Sequence, residues 1–255
     1  MIEYQRKLIE IRINGKNRRP MNAKCKLRTR NTSLLFLLIL LSSQAICQKI
    51  DPELIIDNFL EHNCYKKKGL IESVQITGTR SSVQNLKFKQ FINNQGKYTC
   101  ETEIDGWVIV ESYENGKAYI QNPFVDNNQA QDIPRESLDY LQMFEASDLE
   151  GMLYNRKDKG IVIKSCSQVT IADREFYKIE IGIKDLGGIN YYLGKYDYLI
   201  YRKEYLIQHS ENPVIITLEA YKYVDDIPFA TKSRTIAQGE LISTIVIDDI
   251  ELVFE

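Results

Sequence analysis

From residue 71 onward, apolar and polar residues alternate along much of the chain. Val74 and Ile76, for example, are apolar and all of their neighbours in 73–77 are polar. A period of two is typical of β-strands that bury one face. The same pattern predicts strands near 86–88, 98–102, 107–113 and 117–121, the last two joined by a hairpin turn at 114–116.

Strand patterns return after residue 160 and continue to residue 254. The predicted segments are 161–167, 176–183, 189–193, 199–206, 214–223, 229–237 and 241–254. The chain is therefore predicted to be mainly β (α+β), with about eleven antiparallel strands. Many strands at short spacing favour a barrel or a strongly curved sheet.

A leading segment has helical spacing instead. Asp51 is a suitable N-cap, Pro52 suits the first helical position, and Lys66 to Gly69 provides a basic last turn and a stop. Because an apolar helix face needs a partner, we expect this helix to pack on the concave side of the sheet.

A helical insertion is predicted in the middle of the chain. Leu138, Leu141 and Phe144 recur at helical spacing behind Pro134. Ser147, with a glutamate three residues later, has the capping-box pattern of a second short helix. We expect this insertion to lie over the concave face as well.

Ahead of these elements lies a short apolar block that follows a basic cluster. Residues 34–41 are all apolar, and Lys24, Lys26, Arg28 and Arg30 precede them. This order is typical of a secretory signal peptide, and the block is far below the ~20 residues of a membrane-spanning helix. We expect an upstream extension at 1–20, a signal peptide at 21–47 that starts at Met21, and one domain at 48–255.

Residue 47 allows two interpretations. Ala45 and Cys47 place small residues at the two positions that a signal peptidase reads, which predicts cleavage after Cys47 and Gln48 as the first residue of the exported protein. In the alternative, Cys47 is a lipidated anchor. A lipoprotein signal has a small residue directly before the cysteine, whereas Ile46 is bulky, so the sequence favours cleavage.

Composition and charge narrow the range of partners. Residues 1–47 hold ten of the 33 basic and two of the 35 acidic residues, so 48–255 has a net charge of about −10. Such a surface disfavours nucleic acid and anionic membranes. Cys64, Cys100 and Cys166 allow at most one internal disulfide, and buried free thiols are the favoured interpretation.

The sequence contains no enzyme motif that we recognise. His62 and His209 have no histidine or cysteine at ligand spacing, so we expect no metal and no cofactor. A Gly-x-Ser-x-Gly elbow, a phosphate loop and a His-Glu-x-x-His motif are all absent from the sequence. Asp225-Asp226 and Asp248-Asp249 suit turn-capping or solvated roles better than acid–base catalysis. We therefore expect a non-catalytic protein.

The order of these elements resembles the LolA/LolB-like family of periplasmic lipoprotein carriers. The most specific stretch is 115–125, Asn-Gly-Lys-Ala-Tyr-Ile-Gln-Asn-Pro-Phe-Val, which is similar to the family's Gly-Lys hairpin, aromatic strand and Asn-Pro-Phe exit. Residues 149–153, 176–179, 198–200 and 226–229 resemble the outer-membrane lipoprotein-sorting branch of the Bacteroidetes type. The resemblance covers roughly 51–254. The family's arginine before a proline on an early strand has no counterpart in 91–97.

The resemblance implies a half-open antiparallel barrel with an N-terminal helix and a mid-chain helical lid. It implies a Gram-negative periplasmic protein whose apolar cavity takes a lipid or the acyl chains of a lipoprotein. The residues expected to form cavity and lid are Trp107, Tyr119, Phe124, Leu138, Leu141, Met143, Phe144, Leu149, Met152 and Leu153.

Two alternatives stay open at this point. The lid residues are also compatible with a plain core that closes the barrel without a ligand, and Trp107 and the tyrosines with packing between strands. The whole protein is also compatible with a non-catalytic cell-envelope module on the same scaffold, with an envelope protein as its partner and no lipid ligand.

Overall fold

The first half of the sheet comes from the part of the chain before residue 133. The computed structural model describes residues 50–125, 129–207 and 212–255, so the expected extension and signal peptide at 1–47 lie outside the described residues. The strands of this half are β1 Ile71–Ser81, β2 Asn85–Asn93, β3 Tyr98–Ile104, β4 Trp107–Glu114, β5 Lys117–Gln121 and β6 Ala130–Asp132.

The second half follows residue 160, as the alternation predicts. Its strands are β7 Ile161–Ile171, β8 Arg174–Ile183, β9 Gly187–Gly194, β10 Ile200–Ile207, β11 Val214–Val224, β12 Ile227–Ala237 and β13 Glu240–Phe254. Within the described residues the strand order is β6-β5-β4-β3-β2-β1-β13-β12-β11-β10-β9-β8-β7.

All neighbouring strands of this sheet are antiparallel. Each half is a meander of consecutive strands, and the pairing of β1 with β13 joins the halves. The two edges, β6 and β7, are not paired with each other, so the sheet is not closed. The predicted mainly β, open antiparallel architecture is confirmed.

The described residues contain thirteen strands, whereas the sequence predicts about eleven. The clearest omission is β6, which lies in a polar stretch with no apolar alternation. It pairs with β5 through its backbone, with Asp132 opposite Tyr119 and Ala130 opposite Gln121. A three-residue edge strand of this kind needs no buried side chains, so hydrophobic periodicity does not reveal it.

The leading helical segment forms two helices rather than one. α1 is Pro52–His62, and the Asp51 carboxylate accepts a hydrogen bond of 3.0 Å from the Glu53 amide, as expected for an N-cap. α2 is the single turn Tyr65–Lys68. The helix is interrupted at Cys64, whose φ of 53° lies in the left-handed region and is incompatible with a continuous α-helix.

The mid-chain insertion contains α3, Leu138–Ala146, in which the Ser137 hydroxyl caps the first turn. The predicted second helix from Ser147 is wrong, because residues 148–160 form turns. Ser147 is instead the C-cap of α3, and its hydroxyl donates to the Phe144 carbonyl. Gly151 then has a φ of +90°, which ends any helical path.

The connection from β6 to β7, residues 133–160, runs from one edge of the sheet to the other. α3 contacts both the β4–β5 turn and β10, through Tyr140 and Glu145 respectively. β4 and β10 are seven inter-strand spacings apart in the sheet order, which would be about 34 Å in a flat sheet. α3 is only about 13 Å long. The sheet must therefore curve around α3, which lies on its concave side.

Candidate functional site

A cavity of about 720 Å³ lies between the concave face and the segments that cross it. Its walls come from α1, α2, α3 and residues 148–153 on one side and from the inner faces of β1 to β4 and β9 to β13 on the other. Apolar groups of the wall include Phe59, Val74, Met143, Ile200, Phe229 and Ile245. This volume is within the ~300–1,000 Å³ of typical ligand pockets.

One end of α3 is held to β9 and β10 by a buried carboxylate. Glu145 accepts hydrogen bonds from the hydroxyls of Tyr191, at 2.7 Å, and Tyr205. The ammonium group of Lys203 lies 2.8 Å from the same carboxylate. Burial alone would raise the pKa of Glu145, but Lys203 and the two hydroxyls outweigh it, so the pKa lies below its ordinary value.

The opposite side of α3 is held to β4 and to the β4–β5 turn. The Tyr140 hydroxyl donates to the Gly116 carbonyl at 2.6 Å. Tyr113 of β4 packs against the rings of Tyr140 and Phe144, with centroids 5.6 and 5.9 Å apart. The helix is therefore fixed to both halves of the sheet.

Residues 148–160 complete this side of the cavity without a helix. The Asp148 carboxylate accepts from the Gly151 amide at 3.2 Å and pairs with the Lys159 ammonium group at 2.7 Å. Met152 and Leu153, between these anchors, are almost fully buried. The ion pair therefore holds the turn that directs two apolar side chains into the cavity wall.

The structure brings half of the expected site residues together. Leu138, Met143, Leu149, Met152 and Leu153 all line the cavity, from α3 and from the turns after it. Leu141 does not, because it is completely buried in the core beneath α3. Phe144 lies in the wall of an adjoining cavity of about 510 Å³.

The structure places Trp107, Tyr119 and Phe124 outside the wall of this cavity. Tyr119 of β5 lies opposite Ser112 of β4. The adjacent pair, Tyr113 and Ala118, is buried and points to the concave side, so strand alternation places Tyr119 on the convex face. Trp107 and Phe124 pack against each other and are 56% and 55% exposed.

These two aromatic residues are far from α3 because of strand length. Trp107 begins β4, and α3 contacts the turn at the other end of that strand, seven residues or about 23 Å away. Neither Trp107 nor Phe124 lines the cavity, so we remove both from the candidate ligand site.

The cavity wall also carries charged side chains that the sequence analysis missed. Lys68, Arg80, Glu111 and Lys203 all line it, in addition to Glu145. Burial raises the pKa of Glu111, an effect that Arg80 opposes. A signal for Glu145 was available, because it follows Leu141 by four residues and therefore lies on the apolar face of the helix. Arg80 and Glu111 lie on the inward period of their strands, which is likewise readable from the sequence.

The described residues show no sign of a metal centre or a membrane span. In 50–125, 129–207 and 212–255, no three His, Cys, Asp or Glu side chains form a group that could hold a metal ion. No helix of the described part is long and apolar enough to cross a membrane. Cys64, Cys100 and Cys166 are free thiols, of which only Cys100 is fully buried.

Solved structures with a similar fold include a LolA superfamily protein and a lipoprotein-sorting protein domain. A LolA superfamily protein from Nitrosomonas europaea is 9% identical, with 80% of this chain and 94% of that chain covered and a TM-score of 0.56. An outer membrane lipoprotein-sorting protein domain from Vibrio parahaemolyticus is 12% identical over 76% and 91% of the two chains, with a TM-score of 0.52.

A DUF1329 family protein from Desulfovibrio piger is also similar, at 10% identity over 80% of this chain and 94% of that chain, with a TM-score of 0.56. No protein-family model matches the sequence, and the curated proteins contain no significant match. The comparisons therefore show a fold similar to that of the LolA superfamily and of lipoprotein-sorting domains, at low sequence identity.

Proposed function

We propose that this protein is a non-catalytic carrier or binding protein for lipids or lipoprotein acyl chains, of the outer-membrane lipoprotein-sorting type. The observation that carries the proposal is the cavity on the concave face, which the β6–β7 connection crosses and supplies with apolar side chains. An acyl chain left in water costs about 0.8 kcal/mol for each exposed CH₂ group, so a carrier must enclose it. Two methionines in the wall, Met143 and Met152, suit flexible chains of variable shape.

The proposal includes a location and a domain organisation. The protein is exported to the Gram-negative periplasm, the signal peptide is removed after Cys47, and residues 48–255 act as one domain. N-terminal sequencing of the exported protein tests this, with Gln48 as the expected first residue. A lipid-modified Cys47 would make it a membrane-anchored protein instead.

The test of the ligand is mass spectrometry of an organic extract of gently purified protein, together with binding of a fluorescent fatty acid. We expect co-purified acyl lipid and saturable binding. The cavity variant Leu149→Glu should lose both, because the new carboxylate enters the cavity wall. The matched control Leu54→Glu lies on the exposed face of α1 and should retain both.

A second function is favoured by the firm attachment of α3. Glu145 and Tyr140 fix the helix to both halves of the sheet, as expected of a rigid platform that docks an envelope protein without a lipid. That function predicts an extract free of lipid, no binding of fluorescent fatty acid, and a specific partner in pull-downs from envelope fractions. The extract and the binding assay therefore separate the two functions.

A further inference from the structure

One ammonium group in the cavity wall has no hydrogen-bonding or ion-pair partner in the part of the chain that the structure describes. Lys68 ends α2 and lines the cavity beside Tyr65, Asp148 and Leu149. Within the described residues, its Nζ makes no hydrogen bond and no ion pair. The side chain is largely enclosed by protein and lines both this cavity and the adjoining cavity of about 510 Å³.

Asp148 and Lys203, two of the charged groups that act on Lys68, are already paired elsewhere, and Glu150 lines the same cavity without a hydrogen bond to Lys68. The Asp148 carboxylate holds Lys159 and the Gly151 amide. Lys203, whose charge repels that of Lys68, is compensated by Glu145. The two ammonium groups of the wall thus differ, since Lys203 is paired with a buried carboxylate and Lys68 has no hydrogen bond or ion pair within the described residues.

Burial lowers the pKa of Lys68 to about 8; Lys203 acts in the same direction, and Cys64 and Asp148 oppose it. The group is therefore still mainly charged at neutral pH. The charge of Lys68 destabilises the unliganded protein, because its hydrogen bonds to water are lost on burial and are not replaced by hydrogen bonds to the protein. An anionic group of a ligand would supply them.

We propose that Lys68 binds the anionic head of the acyl ligand, either the carboxylate of a fatty acid or the phosphate of a phospholipid. This inference rests on the proposed lipid-binding function and narrows its ligand class. The chain of the ligand lies along Met143, Leu149, Met152 and Leu153, and its head is placed at the α2 end of the cavity. Glu111 and Arg80 line the cavity further along the strands, at the level of Ile76 and beyond, where the charge of Arg80 acts on Glu111.

The experiment compares ligands of equal chain length and different heads. Palmitate, hexadecanol and palmitoyl lysophosphatidylglycerol each displace a fluorescent fatty-acid probe from purified protein, and the apparent affinities are measured. The variants are Lys68→Met, which removes the charge at similar length, and Lys68→Arg, which retains it. The matched control is Lys66→Met, on the exposed side of the same helix turn.

We expect the wild-type protein to prefer an anionic ligand to hexadecanol by about 10- to 100-fold, as for one hydrogen bond to a charged group. Lys68→Met should abolish the preference by weakening the anionic ligands alone, whereas Lys68→Arg and Lys66→Met should retain it. The anionic ligand that loses more affinity in Lys68→Met identifies carboxylate or phosphate as the head. The unliganded Lys68→Met protein should also melt at a higher temperature than wild type.

Failure of this inference is distinct from failure of the proposed function. Equal affinity for palmitate and hexadecanol, or a preference that survives in Lys68→Met, overturns the head-group assignment and leaves acyl binding intact. Absence of any binding overturns both. A lower melting temperature in Lys68→Met also overturns the assignment, because it would mean that Lys68 is paired within the protein, with Glu150 or Asp148.

Discussion

At the scale of single residues, Glu145 decides how firmly α3 is held. Its carboxylate joins one helix to two strands through Tyr191, Tyr205 and Lys203. A buried ion pair contributes little in comparison with an apolar pair of the same shape, but removal of one partner leaves the other charge unpaired. Removal of Glu145 should therefore destabilise the protein mainly because it leaves the charge of Lys203 unpaired.

Glu145→Ala should lower the free energy of unfolding by about 3–5 kcal/mol, the usual cost of breaking a buried pair. Urea unfolding followed by circular dichroism measures it. The double variant Glu145→Gln/Lys203→Met replaces both charges and should recover most of the loss. A double variant as unstable as Glu145→Ala would show that the uncompensated charge of Lys203 is not the cause.

Lys68 should make the stability of the unliganded protein depend on alkaline pH. Its folded pKa of about 8 is below the ordinary 10.5, so between these values the unfolded chain binds more protons than the folded protein. Stability therefore rises with pH from about 8 to 10.5 for this group. The melting temperature of wild type minus that of Lys68→Met should therefore increase over this pH range. A difference that does not change with pH would contradict the lowered pKa.

Trp107 is the single tryptophan of the chain and a direct reporter of where ligands bind. Because its ring is 56% exposed and outside the cavity wall, saturation with palmitate should leave its emission maximum unchanged. Occupancy is verified independently by displacement of the fluorescent probe. A blue shift on binding would return Trp107 to the ligand site that the sequence analysis proposed.

At the scale of elements, α3 contains both core and wall residues. Leu141 is fully buried, so Leu141→Ala should cost about 2–5 kcal/mol, like other core truncations. Phe144 is only partly buried and borders a cavity, so Phe144→Ala should cost less than the ~3–5 kcal/mol of a buried phenylalanine. Urea melts of both variants test the difference; similar losses would mean that α3 packs as a uniform core helix.

Elements with a strong period could be predicted from the sequence, and the weakly patterned ones could not. The alternation from Val74 onward predicts most of the strands, and the Asp51 cap and the helical spacing from Leu138 predict α1 and α3. The turns at 148–160 depend on the ion pair of Asp148 with Lys159, which joins residues eleven apart and leaves no periodic signal.

The candidate site shows the same division. Met152 and Leu153 could be predicted as wall residues because they continue the apolar insertion, and the structure places both there. Trp107 could not be excluded, because its distance from α3 follows from the pairing of whole strands. The unpartnered state of Lys68 depends on which acceptors its neighbours already occupy, so only three-dimensional structure reveals it.

At the scale of the whole molecule, the two halves of the sheet meet at β1 and β13. Ten residues of β1 have partners there, from Ile71 opposite Phe254 to Ser81 opposite Thr244. The register shifts between Thr77 and Gly78, where β13 contributes one extra residue. Within the described residues this is the one strand pairing that joins the two halves, so its integrity should determine whether the sheet forms as one unit.

Gly78 lies at this register shift, and its lack of a side chain allows the β13 backbone and the Phe88 ring to approach it closely. A Cβ there would collide with the Val246 carbonyl oxygen and would lie 2.9 Å from the Phe88 ring. Backbone of a central strand cannot move aside cheaply, so Gly78→Ala should destabilise by about 1–3 kcal/mol, toward the upper end. Ser73→Ala on the same strand, free of such a clash, should change stability by less than about 0.5 kcal/mol.

Urea unfolding of the two variants measures this, and loss should appear in one cooperative transition, because both halves depend on the same pairing. Equal stability of Gly78→Ala and wild type would show that β1 and β13 can separate locally without cost to the rest of the sheet.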